Sequence, residues 1–139
     1  MKIKIGNNSE YLIFTNFSPE NGEKGEFAND FYNVSLQLNV NGITSNIGAS
    51  IRVGELSQLY TDLLKLYDTL KYSFVFSSIE DNVNLHFTPT VTGQIEIKGY
   101  LRNSDYTGSI DFTIEADQTF MPSTIKEVKK FLESIVGEN

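Results

Sequence analysis

At 139 residues, with 40% hydrophobic and 12% aromatic side chains spread along its length, the chain can bury one core and is too apolar to be largely disordered. Cysteine is absent, which excludes disulfides, thiol nucleophiles and cysteine-based zinc or iron–sulfur sites and suits a reducing compartment. Eighteen acidic against eleven basic residues leave a net charge of −7, which disfavours nucleic acid and anionic membrane and favours a basic protein partner.

Met1-Lys2-Ile3-Lys4-Ile5-Gly6 alternates charge and isoleucine as a strand does and lacks the roughly 7–15-residue apolar stretch of a signal peptide. No stretch approaches the roughly 18 apolar residues of a membrane span, so the expectation is a cytoplasmic protein. Strands are expected near residues 2–6 and 10–17. The segment from Ser18 to Asp30, broken by Pro19, Gly22 and Gly25, reads as a long loop. It holds Glu20, Glu23, Glu26 and Asp30 against Lys24, and a loop of this length is either solvated or used for contact. Those four acids are the candidate partner-binding residues.

Val34, Leu36, Leu38 and Val40 alternate with polar residues, and Ile43, Ile47, Ile51 and Val53 resume the pattern after Asn41-Gly42. Asn-Gly suits a type I′ turn, so Val40 is expected to face Ile43. Leu56, Leu59, Tyr60, Leu63, Tyr67 and Leu70 then recur at helical spacing, with Glu55 in the first turn where the helix dipole favours an anion.

A second hairpin, from Ser73 to Thr88, is expected to turn at Asp81-Asn82, pairing Glu80 with Val83 and Phe76 with Phe87. Gly93 to Asp117 supplies two more strands. Charge repulsion favours the register that puts Lys98 opposite Asp111 and Arg102 opposite Thr107 over the one that puts Glu96 opposite Glu115. A last stripe, Ile125, Val128, Leu132 and Ile135, begins after Pro122. Thr124 and Glu127 are spaced as a capping box, and Gly137 marks the end.

The pattern predicts a single α+β domain over residues 1–139, without internal repeats. Its architecture is an antiparallel hairpin or meander sheet of about six to eight strands, with two amphipathic helices packed on one face. Leu59, Leu63, Phe76, Phe87, Ile97, Phe112, Val128 and Leu132 are expected in one contiguous core.

Motifs for chemistry are sparse. His86 is the only histidine and alternates onto the face opposite Val83, Leu85 and Phe87, and no Gly-x-Ser-x-Gly elbow, P-loop or dinucleotide fingerprint is present. Asp111, Glu115 and Asp117 share a polar strand face with Glu96 next to them, an arrangement able in principle to hold magnesium or act as an acid and base pair. Lys98 and Arg102 lie among them, which favours a solvated face of mixed charge. Glu80-Asp81-Asn82 lacks EF-hand spacing and reads as turn chemistry. No catalytic residue, cofactor or metal site is assigned from the residues.

The run Gly93-Gln94-Ile95-Glu96-Ile97-Lys98-Gly99-Tyr100-Leu101, then Asp111-Phe112-Thr113-Ile114-Glu115-Ala116-Asp117-Gln118-Thr119 and an amphipathic helix, resembles the C-terminal half of the WapI-type immunity proteins. In looser form the similarity reaches the helix with Leu56, Tyr60 and Leu63, so it covers nearly the whole chain. The resemblance implies a non-enzymatic protein that binds a cognate secreted antibacterial toxin domain, often a nuclease and hence basic. It transfers no contact residue, and Asp117 has an independent reading as a strand-end carboxylate accepting backbone N–H groups. The alternatives are a regulatory or scaffold binding module and a small carboxylate-dependent hydrolase.

Overall fold

In a computed structural model, which describes residues 1–20 and 30–136, each sheet is a meander built from consecutive hairpins. Strands β1 (Lys2–Gly6), β2 (Glu10–Pro19), β3 (Phe31–Val40) and β4 (Ile43–Arg52) form the first sheet in that order. Helix α1 (Val53–Thr69) follows, and β5 (Phe74–Ser77), β6 (Val83–Pro89), β7 (Gln94–Arg102) and β8 (Ser109–Asp117) form the second. A short 3₁₀ turn, Gln118–Phe120, leads into α2 (Met121–Val136). All pairings are antiparallel, as expected of an α+β chain.

The single sheet expected from the sequence is instead two four-stranded sheets. The order of four strands and a helix occurs twice, a repeat of backbone elements that the residues do not reveal. The two apolar rows meet: the ring of Phe14 on β2 packs edge-on against Phe76 on β5, with centroids 6.0 Å apart. Helix α1 packs against α2, β4 and β5, while α2 also lies along β1. One contiguous core results. Leu59, Leu63, Phe76, Phe87, Ile97 and Val128 are buried in it, and Phe112 and Leu132 pack against it half-buried.

Asn41 and Gly42 both take positive φ and set Val40 opposite Ile43, as the Asn-Gly turn requires. The second hairpin differs from expectation. Phe87 faces Phe74 and Leu85 faces Phe76, because the turn is four residues long rather than two. Its chemistry explains this: Ser78 N–H donates to Val83 C=O at 3.1 Å, and the Ser78 hydroxyl accepts N–H groups from Asn82 (3.1 Å) and Val83 (3.4 Å). The shift stacks Phe74 on Phe87, with centroids 4.5 Å apart.

The register of β7 and β8 is also the one that charge repulsion disfavoured, with Glu96 opposite Glu115, Lys98 opposite Thr113 and Arg102 opposite Ser109. Residues 103–108 form a self-bonded loop that fixes it: Asn103 N–H donates to Gly108 C=O, and Asp105 accepts both the N–H and the hydroxyl of Thr107. The like-charge pair lies on the solvent face, where screening weakens it, and Lys98 Nζ sits 3.8 Å from Glu96 Oε1.

At the chain ends two further expectations change. β2 runs through Ser18 and Pro19, which pair with Asn33 and Tyr32 beyond a bulge, so the loop starts later than Ser18. In α2, Pro122 lies inside the first turn and Thr124 is fully buried, so there is no capping box there. Asp117 makes the entry instead, its carboxylate accepting Thr119 N–H at 3.0 Å, which matches the strand-end role read from its position. Met121, Thr124, Val128, Phe131 and Ile135 are the buried face of α2; Val128 and Ile135 belong to the expected stripe, and its other members, Ile125 and Leu132, flank this face half-buried against the core. The Thr124 hydroxyl donates to Lys4 C=O and the Glu127 carboxylate accepts Lys4 N–H at 2.8 Å, tying α2 to the edge of the first sheet. Gly137 lies outside the described residues.

Candidate functional site

The end of β4 meets the turn before β6 at a polar seam between the two sheets. Asn82, 3% exposed, holds it: its Oδ1 accepts Ser50 N–H at 3.2 Å and its Nδ2 donates to Arg102 C=O at 3.1 Å. Around this anchor opens a groove of about 200 Å³ lined by Glu20, Ala49, Ser50, Glu80, Asn82, Ser104 and Tyr106. The Ser50 hydroxyl donates to Glu20 Oε2 at 2.9 Å, and Tyr106 donates to Glu80 C=O at 2.5 Å.

Beside the groove, Asp81 accepts hydrogen bonds from Tyr100 (2.6 Å) and Arg102 (2.8 Å). The hydrogen bond to the Asp81 carboxylate holds the Tyr100 phenol above its ordinary pKa, because ionising it would cost that bond. Asp105, in the adjoining loop, is held below the usual carboxylate range by the hydrogen bonds from Thr107. The Arg102 guanidinium lies over both tyrosine rings, 5.0 Å from the centroid of Tyr100 and 6.0 Å from that of Tyr106. This cluster joins residues about twenty positions apart and was invisible in the sequence, where Glu80-Asp81-Asn82 carried only a turn signal.

Of the four acids singled out from the sequence, Glu20 lines the groove and Asp30 abuts the start of α1, its C=O accepting Val53 N–H at 3.0 Å. Glu23 and Glu26 lie outside the described residues. The other candidates are dispersed. His86 is exposed on the solvent face between Val75 and Lys98. Asp111 and Glu115 lie four residues apart on one extended strand, a span of roughly 13 Å at about 3.3 Å per residue, which is too far for a shared metal or an acid and base pair. Among the described residues no group of three or more His, Cys, Asp or Glu is placed to hold a metal ion.

A larger cavity of about 300 Å³ between α1 and β5 is lined by Glu55 and Asp62 among others, but both carboxylates are occupied internally. Glu55 accepts Arg52 N–H (2.8 Å), Arg52 Nε (3.2 Å) and Ile79 N–H (2.7 Å). Asp62 accepts Gln58 Nε2 (3.2 Å) and Tyr72 (2.8 Å), and the latter bond raises the Tyr72 phenol pKa. Among the described residues no helix is long and apolar enough to cross a membrane.

Solved structures share the fold at low identity. The plant transcriptional regulator PBF-2 is 11% identical with a TM-score of 0.57, the alignment covering 99% of this chain and 82% of that one. WHY1 from Arabidopsis thaliana is 14% identical with a TM-score of 0.58 over 99% and 91% of the two chains. Trypanosomal MRP1/MRP2 is 10% identical with a TM-score of 0.54 over 99% and 85%. No curated protein matches the chain. The family comparison covers residues 3–135, from β1 to the last turn of α2, and on that match the chain belongs to the immunity protein WapI-like family.

Proposed function

We propose that this chain is a cytoplasmic immunity protein that neutralises a cognate antibacterial toxin domain by binding it, without catalysis. The observation that carries the reading is the family match over nearly the entire chain. The toxin is proposed to be basic, as a nuclease would be, because the inhibitor carries −7 overall and residues 7–30 hold five acids and one base. The contact surface is proposed to centre on the groove beside Asn82, where Glu20, Glu80 and Tyr106 are presented together; Glu23, Glu26 and Asp30 are proposed as further contact residues.

Co-expression with the toxin domain encoded beside it, followed by co-purification, tests the reading; a toxin that stays free contradicts it. For the surface, replacing Glu20, Glu23 and Glu26 with lysine is expected to slow association about tenfold or more at low salt, and less at high salt where screening acts beyond roughly 8–10 Å. Surface plasmon resonance at two ionic strengths measures this. An unchanged rate moves the interface to the solvent face of a sheet or to the helices. A regulatory role has one observation behind it, the fold shared with a plant transcriptional regulator, but the net charge opposes contact with a polyanion.

A further inference from the structure

Two open sheets have four edge strands, and three of them are guarded. On β1, Lys4 gives its N–H to Glu127 and its C=O to Thr124 of α2. β8 carries Asp111, Glu115 and Asp117, and at Glu115 the N–H meets the Glu10 carboxylate while the C=O accepts Asn7, both at 3.4 Å. β5 is only four residues long and has α1 beside it. These are the usual devices by which a protein prevents a sheet edge from pairing with another strand.

β4 has none of them over most of its length. It runs ten residues without proline or bulge, and from Ile43 to Ile51 it carries no charge. The two-residue turn makes Val40 and Ile43 a hydrogen-bonded pair, so the backbone groups of Thr44, Asn46, Gly48, Ser50 and Arg52 point outward from the sheet. Two of these are occupied within the chain: Ser50 N–H by Asn82 and Arg52 N–H by Glu55. Thr44, Asn46 and Gly48 keep their outward N–H and C=O groups without a partner among the described residues. Ile43, 63% exposed, and half-buried Ile47 lie along the same edge.

We infer that β4 pairs antiparallel with β4 of a second copy of this chain, about a two-fold axis at Asn46. This register sets Thr44 opposite Gly48 of the second copy and exchanges all the open backbone groups. It also sets Ile43 opposite Ala49 and Ser45 opposite Ile47, which brings the exposed isoleucines of both copies into one strip. Self-pairing places no like charges across the junction. A basic partner is not the better occupant, because no residue from Ile43 to Ile51 carries a charge to attract one, and Glu20, which accepts the Ser50 hydroxyl, lies beyond the open stretch Thr44–Gly48.

Sedimentation velocity from about 1 μM to about 1 mM, the range in which a small interface associates, tests this. The wild-type chain is expected to shift from monomer to dimer. Asn46→Lys sets two ammonium groups at the axis and is expected to weaken the dimer at least about tenfold, with unchanged circular dichroism. Asn46→Glu alone is expected to do the same, and an equimolar mixture of the two variants should form a heterodimer that neither forms alone. A wild-type chain that stays monomeric at the highest concentration overturns the inference. So does an Asn46→Lys variant that dimerises as the wild type does, or a mixture no more associated than its components.

Discussion

Leu63→Ala is expected to destabilise the fold by about 2–5 kcal/mol, the range for truncating a fully buried leucine. Leu63 is 0% exposed at the centre of the α1 stripe, flanked by Leu56, Leu59 and Leu66, each no more than 1% exposed. α1 connects the two sheets and packs on α2, so the cavity opens where three units share one core. The neighbours belong to different elements and cannot all close in, which favours the upper part of that range. Urea denaturation measures the change; a shift below about 0.5 kcal/mol, the scale of surface substitutions, would contradict this placement of the helix.

Gly99→Ala is expected to cost about 1–3 kcal/mol or more, by overpacking rather than by loss of contacts. A Cβ at this position would stand 2.2 Å from Asn84 C=O and 2.9 Å from a methyl of Leu85, and the first of these is backbone that cannot move without disturbing the β6–β7 ladder. Gly48→Ala is the internal control. Its Cβ would meet only Val34 C=O at 4.0 Å, so the change is expected to be within about 0.5 kcal/mol. Thermal or urea unfolding of both variants, at concentrations low enough to keep the chain monomeric, would contradict the packing at β6–β7 if the two changes were equal.

How far the sequence reveals this structure depends on whether a local rule or a distant contact decides each feature. Asn41-Gly42 sets its own hairpin because both residues accept positive φ, and the Val40–Ile43 pairing follows from two positions alone. At Ser73–Thr88 the deciding group is the Ser78 hydroxyl, whose capture of two N–H groups lengthens the turn and moves Phe87 from Phe76 to Phe74. In the Glu96–Glu115 register, six loop residues that bond among themselves outweigh one screened repulsion. In α2 the stripe of Ile125, Val128, Leu132 and Ile135 meets the core, but the entry is misread because Pro122 reads as a boundary, whereas the helix starts at Met121 out of a 3₁₀ turn capped by Asp117.

The candidate site was legible only at Glu20. Asn82, Asp81, Tyr100, Arg102 and Tyr106 meet through pairing between β6 and β7 and through the 103–108 loop, and no short motif in the chain foretells that meeting. The edge strands follow the same logic. That some edge would be exposed could be inferred from alternation, but which one is left unguarded depends on Glu127, Thr124 and Glu10 reaching across the fold.

Protection by occupancy predicts a stoichiometric end point when the protein is titrated against a fixed amount of a co-encoded toxin domain. Residual toxin activity is expected to fall linearly and vanish near one equivalent. His86→Ala, Asp111→Ala and Glu115→Ala variants are expected to reach the same end point, since all three side chains lie on the solvent face and, among the described residues, none belongs to a group of three or more His, Cys, Asp or Glu placed to hold a metal ion. Protection by amounts far below one equivalent, abolished by these substitutions while the complex still forms, would contradict it and show a catalytic protein.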